Sequence, residues 1–151
     1  MQVREILAVK GTVLYTIAPD KTLADAVTVM SEQDVGSLVC FSAGRMVGML
    51  TFREVLRAVS RGGASWQSLK VAEVMLCDPL VGEPLMDVDE LRRLMIEKHM
   101  RYLPVMEGGT LLGVISFHDV AKAVLEEQGF ENRMLKAYIR DWPEGEEKRP
   151  V

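Results

Sequence analysis

The sequence is poor in cysteine, aromatic residues and histidine, and each shortage disfavours a class of protein. Its 151 residues include two cysteines, Cys40 and Cys77, too few for a disulfide scaffold of this length. Aromatic residues make up 6%, which disfavours a surface that stacks single-stranded bases. The two histidines, His99 and His118, belong to no cluster with metal-ligand spacing, and no glycine-rich GKS or GKT phosphate loop occurs. We therefore predict that the protein is not an enzyme.

The sequence also lacks an excess of basic residues and a long apolar run. Lysine and arginine number 18 against 22 acidic residues, a net charge of −4, so no basic face for duplex nucleic acid is expected. No uncharged apolar segment approaches the roughly 18 residues that cross a membrane, and residues 1–5 begin no signal peptide. We expect a cytoplasmic protein with neither nucleic-acid nor membrane partners.

An internal repeat with an offset of 65 residues is the strongest positive feature. Segment 48–55, Gly-Met-Leu-Thr-Phe-Arg-Glu-Val, resembles segment 113–120, Gly-Val-Ile-Ser-Phe-His-Asp-Val. The same offset pairs Pro19 with Pro84 and Met30 with Met95. The sequence therefore predicts four parts, which are a first repeat (1–62), a second repeat (63–126), a C-terminal helix (127–142) and a flexible tail (143–151).

Both repeats show the same predicted order of elements, strand–helix–strand–strand–helix. The first has a strand at 13–17, a helix capped by Thr22, an apolar hairpin at 35–41 and 46–50, and a helix from Phe52. The second has a short strand at 80–81, a helix capped by Asp87, a hairpin at 102–106 and 111–115, and a further helix. Residues 66–75 between the repeats also have a helical pattern.

A unit of this size buries too little surface to be stable alone, so two copies should share a core. We predict an α/β (α+β) fold in which two β-α-β-β-α units pack through their sheets, with pseudo-twofold symmetry and two equivalent clefts.

The repeated segments resemble paired cystathionine-β-synthase (CBS) domains, also called a Bateman module, over residues 3–125. Segments 48–54 and 113–119 follow the family's order of glycine, two hydrophobic residues, Thr or Ser, two variable residues and an acid. Segments 34–39 and 100–105 resemble the family's entry into each hairpin, and 135–139 resembles the terminal helix of small stand-alone bacterial members. The family usually has Asp at the position of Glu54, which places the first cleft in question.

The resemblance implies a non-catalytic signal-transduction module that binds an adenine nucleotide in one or both clefts. The nucleotide-binding residues that it implies are Lys10, Thr16, Ile17, Val35, Thr51, Arg53, Glu54, Leu80, Val81, Arg101, Tyr102, Leu103, Pro104, Ser116, His118 and Asp119. The Asp119 carboxylate would accept hydrogen bonds from the ribose diol, and the hydroxyls of Ser116 and Thr51 would bond ribose or phosphate oxygens. As the alternative, Asp119 and Thr51 are only helix caps.

The remaining implied contacts divide into those to phosphate and those to adenine. Basic side chains at Lys10, Arg53, Arg101 and His118 would neutralise phosphate, although Lys10 and Arg101 would equally suit solvent-exposed positions. The backbone of 16–17 and 80–81 would pair with the edge of adenine. Apolar side chains, Val35 and Leu103 among them, would enclose the ring, and Pro104 would shape the cleft.

AMP is the favoured ligand, because few basic residues are expected to converge; ADP, ATP, NAD and S-adenosylmethionine are the other candidates. By resemblance the module forms a homodimer through helix faces around Met30 and Met95 and acts on an unidentified protein. The alternative function is a ligand-free homodimeric scaffold for protein interactions.

Overall fold

Helices alternate with two small sheets in the computed structural model, which describes residues 1–11 and 13–140. The helices are α1 (Val3–Lys10), α2 (Leu23–Gln33), α3 (Phe52–Gly62), α4 (Val71–Val74), α5 (Val88–Glu97) and α6 (Phe117–Arg140), and a 3-10 helix spans Gly63–Ser68. The strands are β1 (Thr16–Ile17), β2 (Ser37–Ser42), β3 (Arg45–Thr51), β4 (Tyr102–Glu107) and β5 (Thr110–Ser116). The predicted α+β fold is confirmed. The predicted tail at 143–151 lies outside the described residues.

The sheet register reproduces the 65-residue offset of the sequence repeat. Strand β1 runs parallel to β2, and β2 pairs antiparallel with β3, where Ser37 faces Thr51. Strand β4 pairs antiparallel with β5, where Tyr102 faces Ser116. Both members of the second pair lie 65 positions after those of the first. The register irregularities, after Cys40 in β2 and after Val105 in β4, have the same offset.

The strand predicted at 80–81 is not formed. A single parallel bridge joins Gly82 to Val105, at the position equivalent to the pair formed by Ile17 and Cys40 in the first sheet. The Gly82 N–H donates to the Pro104 carbonyl over 2.8 Å. A Cβ atom at Gly82 would lie 2.9 Å from Leu103, so glycine allows this close approach. The flanking prolines, Pro79 and Pro84, have no N–H with which to extend the pairing.

Two helical predictions also differ from the structure. Residues 66–75 form part of the 3-10 helix and the short α4 instead of one helix, because Leu69 and Lys70 are extended. The Leu69 carbonyl accepts a hydrogen bond from the Leu23 N–H over 2.7 Å. At the other end, α6 is continuous from Phe117 to Arg140, so the helical pattern at 127–140 extends the last helix of the second repeat.

The two repeats were predicted to share one core, but each has its own cluster of buried apolar residues. A helix from outside the repeat completes each cluster. Val71 of α4 is buried in the first core, whereas Val3 and Ile6 of α1 are buried in the second. The Val3 N–H donates to Met86 and the Val71 N–H donates to Lys21, the position 65 residues earlier, over 2.9 and 2.8 Å. Helix α1 thus crosses to the second repeat, a contact that the sequence analysis did not predict.

Within residues 1–11 and 13–140, every helix is too short or too polar to cross a membrane.

Replacement of Gly48 by alanine should destabilise the fold more than the same change at the equivalent Gly113. A Cβ atom at Gly48 would lie 2.8 Å from the backbone oxygen of Leu76, whereas one at Gly113 meets only a Leu7 methyl group at 3.0 Å. The Leu76 oxygen is fixed by the Met49 N–H at 2.9 Å. We expect Gly48→Ala to lower the free energy of unfolding by about 1–3 kcal/mol and Gly113→Ala by less than about 1 kcal/mol. Urea denaturation measures both, and equal losses would contradict the packing argument.

Candidate functional site

Two open cavities occupy equivalent positions in the two repeats. The Ser116 cleft has a volume of about 270 Å³, and its lining includes Ser116 and His118 from the motif of the second repeat. The Thr51 cleft has a volume of about 350 Å³, and its lining includes Thr51 and Arg53 at the equivalent positions of the first repeat. Each cleft also receives residues from the other repeat, so the structure has the two equivalent clefts that were predicted.

The Ser116 cleft contains part of the predicted nucleotide-binding set, together with an aromatic residue that the prediction omitted. Of the predicted residues, Lys10, Val35, Tyr102, Ser116 and His118 line it. Tyr15 also lines it. The available sequence signal was its aromatic side chain in the strand pattern at 13–17.

The Asp119 carboxylate lies beside the Ser116 cleft and forms both a helix cap and an ion pair. Its Oδ2 atom accepts hydrogen bonds from the Ser116 N–H over 2.8 Å and from Lys10 Nζ over 2.6 Å. The Asp119 N–H donates to Ser116 Oγ over 3.0 Å, and Lys10 Nζ also donates to the Val114 carbonyl over 2.7 Å. Asp119 therefore caps the start of α6, as the alternative interpretation stated, and it also pairs with Lys10. Among the described residues, Asp119 Oδ1 accepts no hydrogen bond, which leaves it available to a ligand.

Opposing effects act on the pKa of Asp119. Burial raises it, but the hydrogen bonds from Lys10 and from the Ser116 backbone, together with the Lys10 charge, lower it by more. The pKa of Asp119 therefore lies below its ordinary value, and the carboxylate is ionised at neutral pH.

Glu54 makes a different set of contacts at the equivalent position of the Thr51 cleft. Its Oε2 atom accepts a hydrogen bond from the Thr51 N–H over 2.9 Å and another from the Thr51 hydroxyl. The additional methylene group of glutamate lets the carboxylate fold back onto this hydroxyl. Glu54 has no lysine partner among the described residues, so the two acids differ in their electrostatic setting.

Arginine side chains converge on the Thr51 cleft. Arg53 and Arg101 were predicted, and Arg57 joins them in the lining. Arg53 Nη2 donates to the His99 carbonyl over 2.7 Å, and the guanidinium of Arg101 lies 5.0 Å from the centre of the Phe52 ring. The sequence signal for Arg57 was its position one helical turn after Arg53, which places both on one face of α3.

Tyr102 forms a wall shared by both clefts. Its ring packs edge-on against Phe52, with centroids 6.2 Å apart. A Cβ atom at Gly36 would lie only 2.0 Å from the Tyr102 hydroxyl oxygen, so the ring occupies space that only glycine leaves open. Burial raises the pKa of Tyr102, and the hydroxyl is therefore protonated at neutral pH.

Seven predicted site residues line neither cleft, and one of them is Asp119, which lies behind the Ser116 cleft lining and contacts Lys10 and Ser116. Leu103 and Ile17 are buried in the cores, with exposed fractions of 0% and 7%, and Pro104 is also buried. The structure thus moves Leu103 from the cleft wall to the core, because alternate side chains of a strand face opposite sides and Tyr102 takes the cleft side. Thr16, Leu80 and Val81 are exposed outside both clefts.

The described residues contain no cluster of three or more metal-ligating side chains. Cys40, predicted to be in the core, is fully buried, and burial raises the pKa of its thiol to about 12. The thiol is therefore protonated at neutral pH.

Comparisons with known proteins identify what the chain is similar to. The family model for the CBS domain matches residues 3–61 and again residues 71–126. The mitochondrial CBS domain-containing protein CBSX3 of Arabidopsis thaliana is 32% identical over 126 residues, which are 80% of this chain and 61% of that protein. A CBS-domain-containing protein of Agrobacterium tumefaciens has a solved structure with 30% identity and a TM-score of 0.79, covering 82% of this chain and 98% of that one.

A third likeness extends to the fold alone. The CBS domain pair of protein MJ0100, solved in complex with 5′-methylthioadenosine and S-adenosyl-L-methionine, is 16% identical with a TM-score of 0.73. The match covers 84% of this chain and 98% of that one.

Replacement of Lys10 by methionine should raise the pKa of Asp119, because the burial that raises it remains while the hydrogen bond and charge of Lys10 are lost. A depressed folded pKa contributes stability above the unfolded value of about 4, and this contribution is lost as the pH falls through the folded pKa. In Lys10→Met the folded pKa moves toward the unfolded value, so this contribution to stability should be smaller and its loss should be complete at a higher pH. Carbon-13 NMR titration of the Asp119 carboxyl group measures the change.

Lys122→Met is the matched control, since Lys122 is exposed on the same helix as Asp119 and makes no hydrogen bond or ion pair with it. An Asp119 titration that is the same in wild type and Lys10→Met would show that the ion pair does not set this pKa.

Proposed function

The chain belongs to the CBS-domain family and contains a pair of these domains, and we propose that it is a non-catalytic regulatory module that binds an adenine nucleotide. The Ser116 cleft is the proposed site, and AMP is the favoured ligand. ADP, ATP, NAD and S-adenosylmethionine are the other candidates.

The contact between Lys10 and Asp119 carries this proposal. It holds an ionised carboxylate with one unbonded oxygen against a primary ammonium group, that of Lys10, which lines the cleft. The carboxylate can accept hydrogen bonds from a ribose diol, and charge-assisted bonds of this kind are stronger than neutral ones. Lys10 can turn from Asp119 to a phosphate group. One lysine suits a ligand with one phosphate better than a ligand with three.

Side chains suitable for the base also line the cleft. Tyr15, Val35 and Tyr102 present aromatic and apolar surface beside the polar groups of Ser116 and His118. Small-molecule sites commonly combine an apolar wall with a few converging polar groups. The fold-level neighbour solved with two adenosine-containing ligands supports an adenosine moiety over other nucleosides.

Ligand binding would act by shifting an equilibrium between conformations. A ligand favours the conformation that it binds more tightly, by as much as its affinities differ. In the Ser116 cleft the ligand would contact both repeats and α1, so its occupancy would bias their packing. A separate protein, still to be identified, would respond to this bias.

A homodimer is part of the proposal, but the surface that the sequence suggested needs revision. Met30 and Met95 are 8% and 1% exposed, so both side chains are buried in their own cores. Exposed apolar side chains lie instead on α3 and α6, where Leu56 and Leu125 are 63% and 67% exposed. These two helices follow equivalent motifs of the two repeats, and we propose their faces as the dimer contact.

Replacement of Asp119 by alanine should weaken AMP binding by about 10- to 100-fold, because it removes a charged hydrogen-bond acceptor. Isothermal titration calorimetry gives the dissociation constant. Asp87→Ala is the matched control, because Asp87 caps α5 by accepting the Asp89 N–H over 2.8 Å and lies outside both clefts. The control removes a capping carboxylate from the same repeat and should leave AMP affinity unchanged.

Absence of heat with AMP and with the other four candidate ligands would overturn the proposed function and favour the ligand-free scaffold. AMP binding that is equally strong in Asp119→Ala would overturn the assignment to this cleft.

Replacement of Leu125 by glutamate should convert the homodimer to a monomer, because a charge would replace apolar surface at the proposed contact. Sedimentation velocity measures the change. Val9→Glu is the control, since Val9 is 84% exposed on a helix outside that contact. A wild-type protein that sediments as a monomer would contradict the homodimer.

A further inference from the structure

We propose that the Thr51 cleft is an anion site for a polyphosphate, an anion of two or more linked phosphate groups, and is not a second nucleoside site. This assigns the two clefts different ligands. The inference depends on the arginines of the Thr51 cleft and does not require the Ser116 cleft to bind AMP.

The two clefts differ in the net charge of the side chains that line them. Three arginines and one acid, Glu54, line the Thr51 cleft. One lysine and one acid, Asp34, line the Ser116 cleft, and that lysine is already paired with Asp119. The Thr51 cleft therefore has an excess of two positive charges, which attracts a multiply charged anion.

The three arginines of the Thr51 cleft are arranged to contact more than one phosphate group. Arg53 is held by the His99 carbonyl and Arg101 by the Phe52 ring, so two guanidinium groups are positioned before a ligand binds. Among the described residues, neither Arg57 nor Arg101 forms an ion pair. The planar guanidinium fork binds phosphate oxygens in pairs, so three such groups can bind a chain of phosphates.

The motif residues of this cleft are less available to a ribose than those of the other cleft. The Thr51 hydroxyl donates to Glu54, whereas the Ser116 hydroxyl makes no donated hydrogen bond within the described part of the chain. The carboxylate of Glu54 accepts two hydrogen bonds from Thr51 alone. Glu54 Oε1, like Asp119 Oδ1, accepts no hydrogen bond among the described residues, but the Thr51 hydroxyl is already engaged, so the arginines provide most of the donor capacity of this cleft.

The arginines continue along α3 beyond the cleft, which favours an elongated anion. A neighbouring cavity of about 390 Å³ shares Glu54, Arg57 and Leu76 with the Thr51 cleft and is also lined by Arg61 and Glu73. Arg53, Arg57 and Arg61 are spaced by four residues, so they follow one face of the helix. The acid in this cavity, Glu73, accepts a hydrogen bond from the Lys70 N–H over 2.7 Å, so its carboxylate is held by the backbone and forms no ion pair with Arg57 or Arg61 among the described residues.

Calorimetric titration with inorganic triphosphate tests the assignment without a nucleoside. We expect binding to the wild type and a loss of at least about tenfold in affinity in the double variant Arg57→Gln, Arg101→Gln, because charge-assisted hydrogen bonds are lost. Arg45→Gln at the start of β3 is the charge control, since Arg45 lines neither cleft. Asp119→Ala should keep full triphosphate affinity, and the double variant should keep its AMP affinity.

The possible results separate the two proposals. Triphosphate binding without binding of AMP or of any other candidate ligand at the Ser116 cleft would support the anion site and overturn the proposed function. AMP binding without triphosphate binding, or equal weakening by Arg45→Gln, would overturn the anion site alone. ATP titrated into Asp119→Ala tests whether the nucleoside is recognised. An affinity equal to that of triphosphate would support recognition of the phosphates alone, and a higher affinity would overturn the assignment by showing that the nucleoside binds as well.

Discussion

Burial of Val3 in the core of the second repeat is the constraint on which the candidate site depends. Val3 has no exposed surface, and backbone hydrogen bonds from Val3 to Met86 and from Arg4 to Pro84, 2.9 and 2.8 Å long, fix the start of α1. The helix then runs along β5 and α6, and its last residue, Lys10, meets Asp119. A hydrophobic anchor at one end of a short helix therefore determines the electrostatics of the Ser116 cleft at the other end.

The same anchor explains why two clefts of equivalent origin differ. Val71 occupies in the first core the place that Val3 occupies in the second. Lys10 follows Val3 by seven residues, and the residue seven positions after Val71 is Asp78, which is therefore the counterpart of Lys10. Asp78 is an acid and lies beyond the end of α4 at Val74, so this position supplies no ammonium group to Glu54, which has no ion pair among the described residues. Glu54 instead turns back to Thr51. Duplication supplied two copies of one motif, and the segments that precede each repeat made their surroundings different.

The sequence was sufficient to predict the fold, because the duplicated pattern constrains strand order and register together. The offset that aligns 48–55 with 113–120 also relates the pair Ser37 and Thr51 to the pair Tyr102 and Ser116. It could not predict where α1 packs, since eight amphipathic residues fit either core. For the same reason it left Lys10 equally suited to solvent. Tyr102 and Leu103 are adjacent on one strand, so their side chains point to opposite sides of the sheet. The predicted site included both residues, although strand alternation allows only one of them to face the cleft. Arg57 could have been predicted as a site residue from helical periodicity alone, because it lies one turn after Arg53 on α3.

Tyr102 makes the two clefts geometrically dependent on each other. Its ring lines both, packs edge-on against Phe52 and fills the space above Gly36. A close-packed ring cannot move away from one cleft without entering the other or losing its contacts. If the ligands proposed for the two clefts both contact this ring, a change in its position on binding one would change the affinity for the other, and by thermodynamic linkage the effect would be reciprocal. Tyr102 is the side chain that lines both clefts and could carry such coupling.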